Sequence, residues 1–337
     1  MNWYLQSGKE SDVVFSTRVR LARNLKDMKF VGHMNKKDEE ALLEKMQSIT
    51  PSLGYGLKFL RLKDMDNLTK LSLVEKHLIS PDFAKHKTET GAIMINDEEN
   101  ICIMINEEDH IRIQVLSSGL ELNQTLALAQ EIDEKLETLV NYAFSEKYGF
   151  LTACPTNVGT GMRISVMVHL PALTATGNSK KVLEAANNFG MNIRGVYGEG
   201  SKPQGDLYQI SNKQSLAVTE DEIAKNIKAI TDKIAEQERL ARKFLGKDRT
   251  ELSDRVYRAF GELRYAMKIS SDEAKELIST VKLGTDMGII TELNDLKVNE
   301  LILYTKPANL QKRVGKSLEE YERDIKRAEV IKEIINE

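Results

Sequence analysis

The sequence predicts an α+β fold, a mainly antiparallel sheet flanked by helices, with an all-helical C-terminal domain after it. Three observations carry this. Short runs of alternating apolar and polar residues are spaced as hairpins or separated by single helices. Between them lie stretches with apolar residues every three to four positions. From Thr219 onward the pattern becomes helical.

In chain order, residues 1–12 are expected to be a flexible lead. Residues 12–23 (DVVFSTRVRLAR) alternate as a strand, with Arg18 and Arg20 on one face and Val19 and Leu21 on the other. A helix is expected over 36–50, with Leu42, Leu43, Met46 and Ile49 inward and Pro51, Gly54 and Gly56 ending it. A second helix covers 64–78 and ends before Pro81, with His77 at its end, where a lone His commonly caps or packs. The runs AIMI (92–95) and ICIMI (101–105) read as a hairpin in which Cys102 is a core thiol. Next, Arg112 and Gln114 alternate with Ile111, Ile113 and Val115, just after the acids Glu107, Glu108 and Asp109. An amphipathic helix is expected over 121–147.

The segment CPTNVGTGMR (154–163) combines a Pro, two Gly, a thiol and an Arg that opens an apolar strand running to Leu170. A helix to Phe189 and Gly190 follows, then Arg194 before a Gly-rich loop, then a strand from Leu207 to Ile210. Thr219 and Glu222 form a capping box for a helix bearing Ile223, Ile227, Ile230 and Ile234. Gly246-Lys247-Asp248 reads as a hinge, and helices are expected near 250–266, 271–282 and 294–304, with Gly284 and Pro307 as stops. The last helix starts near Ser317, with Glu320 completing its cap. This divides the chain into the lead, a sheet-bearing domain at 13–245 and a helical domain at 249–337.

A chain of 337 residues with 41% hydrophobic content holds a sizeable core, and its net charge of −3 gives no global basic field for nucleic acid or membrane. Two Cys in unlike contexts do not make a disulfide framework. With no apolar signal segment or spanning run, a cytoplasmic protein is expected.

Arg18, Arg20, Arg112, Arg163 and Arg194 each lie in or beside a predicted strand. Arg presents a planar, permanently charged fork suited to phosphate oxygens, and a triphosphate needs several such clamps. Alone, the Arg18/Arg20 pair fits a solvated strand face equally well. The GVYGEGSK run at 195–202 is no P-loop, because Ser precedes Lys, and no Cys/His cluster has zinc spacing.

Four motifs, STRVRLARN (16–24), NEEDHIR (106–112), CPTNVGTGMR (154–163) and RGVYGEG (194–200), resemble the signatures of the phosphagen (guanidino) kinases, in that family's order. The match is closest to its bacterial protein arginine kinase branch. STRVR begins at residue 16, so the separate N-terminal helical domain of the small-molecule kinases is not expected, and RDIKRA (323–328) resembles that branch's phosphoarginine-sensing motif.

The resemblance implies an ATP-dependent enzyme that phosphorylates arginine side chains on proteins. Its ATP site would comprise Ser16, Thr17, Arg18, Val19, Arg20, His77, Arg112, Arg163, Ile164, Ser165, Val166, Met167, Arg194, Gly195, Val196, Tyr197, Gly198 and Glu199, with Mg²⁺ carried on the phosphates. Catalysis would fall to Glu108 and Glu199, which grip and deprotonate the guanidinium, with Cys154 beside that guanidinium and Arg112, Arg163 and Arg194 around the phosphoryl group. Cys154 reads equally as a packing thiol. Asp109 is expected to be structural. Arg323, Asp324, Arg327 and Ala328 would sense phosphoarginine, although the pattern alone also fits a charged helix face. The resemblance further implies a homodimer through the C-terminal helices, a zinc-binding activator protein, a Clp-type unfoldase–protease and a heat-shock repressor as partners, and a role in stress response. A free-arginine kinase and a nonenzymatic phosphoarginine-reading adaptor are the competing readings.

Overall fold

The two apolar runs of the expected hairpin pair as β3 (Ala92–Ile95) and β4 (Ile101–Ile105) in a computed structural model that describes residues 2–87, 89–195 and 205–337. They belong to an eight-stranded sheet, all of whose pairings are antiparallel. The other strands are β1 (Val14–Arg23), β2 (Lys58–Arg61), β5 (Ile111–Ser118), β8 (Met162–His169), β9 (Met191–Gly195) and β10 (Leu207–Asn212), in the order β2-β3-β4-β5-β1-β8-β10-β9. A small separate hairpin joins β6 (Phe144–Ser145) to β7 (Gly149–Phe150).

One face of the sheet is dry. Val19, Leu21, Ile113, Ile164, Val166 and Ile210 pack there against α1 (Lys36–Leu53), α4 (Leu122–Leu139) and α7 (Glu220–Leu245). At the β3–β4 end the opposite face is apolar as well. Ile93, Ile95, Cys102 and Met104 meet Leu73 of α2 (Asn67–Glu75) and Phe83 of α3 (Pro81–His86). Burial on both faces explains why these two strands read as continuous apolar runs. Toward β1, β8 and β9 that face becomes polar and holds the candidate site. Short helices α5 (Pro171–Ala175) and α6 (Ser179–Asn188) link β8 to β9.

The C-terminal helices α8 (Arg249–Tyr265), α9 (Ser271–Asp286), α10 (Asp295–Tyr304), α11 (Pro307–Val314) and α12 (Glu320–Asn336) enclose their own apolar cluster. They are tied to the sheet-bearing part at α2. The Glu75 carboxylate accepts the N–H groups of Ala308 and Asn309, each at 2.8 Å, and so caps α11.

Several elements depart from their expected form. The N-terminal lead is docked: Trp3 is 4% exposed and donates its backbone N–H to Glu98. Helix α1 continues through Pro51 because Leu53 still packs into the core, and Gly54 at φ +79° ends it. The 64–78 stretch breaks after Glu75, and Ser80 caps a further helix, α3. α4 stops at Leu139, where Val140 turns extended and enters the core. Gly284 lies inside α9 rather than ending it. A Cβ there would stand 2.3 Å from Val256 Cγ1, so Gly lets α8 and α9 approach. Pro307 starts a helix instead of stopping one. The cap of α12 is the Glu319/Glu322 pair, two residues on from the expected Ser317/Glu320. The boxes at Thr219/Glu222 and Ser270/Glu273 form as expected.

Candidate active site

Directly opposed residues in a sheet share a face, so the register decides which arginines can meet. Arg20 pairs with Arg163, Ala22 with Arg112, Arg18 with Ser165, Gln209 with Met167 and Gln209 with Arg194. Arg18, Arg20, Arg112, Arg163 and Arg194 therefore project from four strands onto the one polar face. Arg18 donates from Nε to Ser165 at 3.2 Å and from Nη2 to Gln209 at 2.8 Å. The Nε of Arg20 is buried without a partner among the described residues. Arg194 donates to Asn192.

Burial, then the neighbouring cations Arg112 and Arg163, push the Arg18 guanidinium down to about 10. Arg20 is lowered further, by burial and then by Arg18, Arg112 and Arg163. Arg163 is lowered by burial, then by Arg194 and Arg112. Guanidinium stays charged in proteins. The direction therefore records burial first and crowded positive charge second, and a polyanion would relieve the second.

Beside this cluster lies a recess of about 120 Å³ lined by Arg20, Arg112, Arg163, Glu108, Cys154 and Gly161, among others. The two adjacent glutamates play different parts. Glu107, with its side chain 9% exposed, takes Arg112 at 2.7 Å, the Ser80 hydroxyl at 2.8 Å and the Glu108 N–H at 2.9 Å. Glu108 meets Arg112 at 2.7 Å with its side chain 46% exposed, so it is the acid an incoming group can reach. Asp109 is buried and structural: it accepts Asn24 Nδ2 at 2.6 Å and the Ala153 N–H at 2.7 Å, tying the Glu108 turn to the Cys154 segment. His110 is part of the same knot, accepting the Leu25 N–H on Nδ1 and bonding the Lys29 carbonyl through Nε2. Cys154 Sγ lies 3.0 Å from the Thr156 hydroxyl.

The two glycines of that segment serve the chain rather than a ligand. A Cβ on Gly159 would lie 2.2 Å from the Ser215 carbonyl, and one on Gly161, at φ +65°, 2.6 Å from the Ala22 carbonyl. Gly161 lets the segment lie close against β1 just before Arg163, and Gly159 lets it pass the Ser215 carbonyl beyond β10.

The remaining nucleotide-site expectations divide by face. Met167 and Ser165 share the arginine face, whereas Val19, Ile164 and Val166 are buried in the opposite core. Ser16 is buried, and the Thr17 hydroxyl donates to the Gly119 carbonyl. His77, at φ +61°, is half-buried near Arg18, and burial, then Lys306 and Arg18, hold its imidazole well down in pKa and neutral. Gly195 ends β9, while Val196, Tyr197, Gly198 and Glu199 lie outside the described residues. Arg323, Asp324, Arg327 and Ala328 stand apart on α12. There Arg327, 1% exposed, donates to the carbonyls of Thr305 and Ile269 and to Asp324, while Arg323 donates to the Leu318 carbonyl.

Sequence reasoning missed Gln209, Ser80 and Glu107 as partners that fix the cations. Alternation in the last strand places Gln209 on the polar face, but only the β1–β8–β10 register brings it to Arg18.

This arrangement has counterparts among known proteins. Residues 37–241 match the family model "ATP:guanido phosphotransferase, C-terminal catalytic domain", and residues 249–337 match "Protein-arginine kinase McsB C-terminal domain". A "Protein-arginine kinase" of Halothermothrix orenii is 48% identical over 99% of this chain and 96% of its own length. One of Bacillus pumilus is 44% identical over 98% of this chain and 92% of its own. Among solved structures, the duplicated taurocyamine kinase from Schistosoma mansoni with bound transition state analog components aligns with a TM-score of 0.63 at 25% identity, over 80% of this chain and 40% of that one. With its large antiparallel sheet, its arginine-lined face and both domain matches in place, the chain belongs to the ATP:guanido phosphotransferase family, in its protein-arginine kinase branch.

Proposed function

We propose that the protein transfers the γ-phosphoryl group of ATP to a guanidino nitrogen of arginine side chains in other proteins. The observation that carries this is the convergence of five arginines from four strands on one face, with the reachable carboxylate of Glu108 in the adjoining recess. The relatives' shared name supports arginine in proteins as the acceptor.

The chemistry sets the roles. An arginine guanidinium is a poor nucleophile, protonated and delocalised. Glu108 orients its fork and takes a proton as the N–P bond forms and the γ-phosphorus–oxygen bond to ADP breaks. Glu199 is proposed as the second carboxylate, on the resemblance of its motif. Arg18, Arg20, Arg112, Arg163 and Arg194 hold the phosphates and neutralise the charge that spreads over the transferring group. Mg²⁺ would ride on the phosphate oxygens and supply further charge neutralisation, and Glu108 is a carboxylate that lines the recess. Cys154 is proposed to line the acceptor side.

The family resemblance extends the proposal. The protein would act in the cytoplasm as a homodimer with a zinc-binding activator, mark clients for a Clp-type protease, act on a heat-shock repressor in stress response, and sense phosphoarginine through Arg323, Asp324 and Arg327. Incubation with ATP and either a mixed protein extract or free arginine tests the core reading. Acid-labile phosphate on protein arginine is expected. Product on free arginine alone would favour a small-molecule kinase, and binding of phosphoarginine without turnover would favour an adaptor.

A further inference from the structure

Helix α9 carries a buried hydroxyl, that of Ser279, to the ends of two strands. Ser279 Oγ donates to the Asp206 carboxylate at 2.7 Å, and His169 Nε2 lies 2.8 Å from the same oxygen. Burial, then Lys282 and Arg242, hold the His169 imidazole well down in pKa and neutral. The one hydroxyl proton goes to Asp206, so Nε2 carries the ring proton and donates to Ser279. Nδ1 has no partner among the described residues, so Ser279 is what fixes this ring by hydrogen bonding.

The two groups that meet at Ser279 come from neighbouring strands. His169 is the last residue of β8, and Asp206, at φ +54°, stands just before β10. His169 faces Leu207 in the register, and the Leu170 N–H donates to the Asp206 carbonyl at 2.9 Å. The chain comes close to α9 here: a Cβ on Gly205 would stand 3.0 Å from the Lys275 carbonyl oxygen. α9 is itself fixed, since Lys282 donates to the Ser11 carbonyl and pairs with Asp286, which Arg242 of α7 also meets.

The same two strands hold Arg18. Ser165 of β8 takes its Nε and Gln209 of β10 its Nη2. Gln209 lies about 10 Å along the strand from Asp206, and Ser165 about 13 Å from His169. A guanidinium bonded to two strands at once stays aimed only while those strands keep their spacing.

We infer that Ser279 is a positioning residue for phosphate binding: by tying the end of β8 to the start of β10 it keeps Ser165 and Gln209 at the spacing that aims Arg18. The C-terminal helical part thus sets the geometry of the arginine face through α9. This rests on the ATP-dependent reading above.

Inorganic tripolyphosphate carries phosphates without a nucleoside, so comparing it with ATP isolates the arginine face. Binding of each to the full-length protein is measured by calorimetry in the wild type, Ser279→Ala, Gln209→Leu and the double variant, with thermal melts on the same preparations. Ser279→Ala is expected to weaken both ligands alike, by about three- to tenfold, and by less than about twofold in the Gln209→Leu background. A role confined to packing would lower the melting temperature and leave the affinities in place. Affinities within about twofold of wild type in Ser279→Ala, a loss for ATP alone, or equal losses with and without Gln209 would each overturn the inference while leaving the kinase reading intact. A wild-type protein that binds neither ligand would defeat both. If Ser279→Ala does not fold, Ser279→Cys, which keeps the side chain's size but only a weak donor, decides in its place.

Discussion

Arg20 on β1 and Arg163 on β8 stand directly opposite each other in the sheet. Like charges in facing positions are unfavourable by roughly 0.2–1 kcal/mol, and neither guanidinium has an ion pair with a carboxylate among the described residues, Glu107 and Glu108 being paired with Arg112. A protein gains nothing in stability from such a pair, which accords with the phosphate-holding role proposed for this face.

The first prediction follows from that pair. Arg20→Met is expected to leave the melting temperature unchanged or slightly higher, because it removes repulsion and an unpartnered buried Nε. Activity is expected to fall by about 10²–10³, the usual loss when one group stabilising transition-state charge is removed. Thermal melts and initial rates on one preparation check both. A clear drop in melting temperature with activity retained would contradict the assignment.

The adjacent glutamates should respond in opposite ways. Glu108→Gln leaves a half-exposed group changed and stability within about 0.5 kcal/mol, but should lower kcat by roughly 10²–10⁴ through loss of the proton acceptor. Glu107→Gln breaks a buried pair with Arg112 that Ser80 also supports, and should destabilise by about 1–3 kcal/mol. Urea melts and steady-state rates separate the two.

Much of this was legible in the sequence, and the division has a physical basis. Alternation alone placed Arg18 and Arg20 opposite Val19 and Leu21, and capping boxes marked the starts of α7 and α9. Both are local signals. The pairing of strands distant in sequence is not local: Ser165 binds Arg18 from 147 positions away. Residues with two uses were misread for the same reason. Pro307 fits a helix start as well as a stop, and Gly284 fits a helix end as well as a tight crossing; only the neighbour across the interface decides.

Arg327 illustrates a different hazard for mutagenesis. Its guanidinium is sealed in the C-terminal core and ties α12 to the carbonyls of Ile269 and Thr305. Arg327→Ala should destabilise by about 3–5 kcal/mol, because buried carbonyls and Asp324 lose their partner. Arg323→Ala should cost less than about 1 kcal/mol. Any test of phosphoarginine sensing therefore needs Arg323→Ala, with circular dichroism melts as the control. Equal losses from the two substitutions would contradict the packing described.

Lys306 gives a pH signature. Burial, with Lys275 adding to it and Glu75 opposing, pushes its ammonium down to about 8, below its ordinary 10.5. The unfolded chain thus holds this proton more tightly, so the penalty on the fold is full below about pH 8 and is relieved as pH rises toward 10.5. Wild type should gain stability relative to Lys306→Met over that window, by on the order of 1–3 kcal/mol. Urea melts of both proteins at pH 7.5 and pH 10, about the two ends of this window, measure it. A difference that stays constant would show that the ammonium is not held in a desolvated site.

Gly284 offers the sharpest test of packing. A Cβ there would fall 2.3 Å from Val256 Cγ1, so Gly284→Ala must push α8 and α9 apart or force Val256 off its rotamer. Overpacking of this kind destabilises by about 1–3 kcal/mol, outweighing Ala's better helix propensity of about 1 kcal/mol. Val256→Ala alone should also destabilise, by leaving a hole beside Gly284. The double variant should recover stability, since the methyl added at one helix occupies the space vacated at the other. Such a cycle yields a favourable coupling only if the two helices touch at this crossing. Simple additivity would mean that they do not.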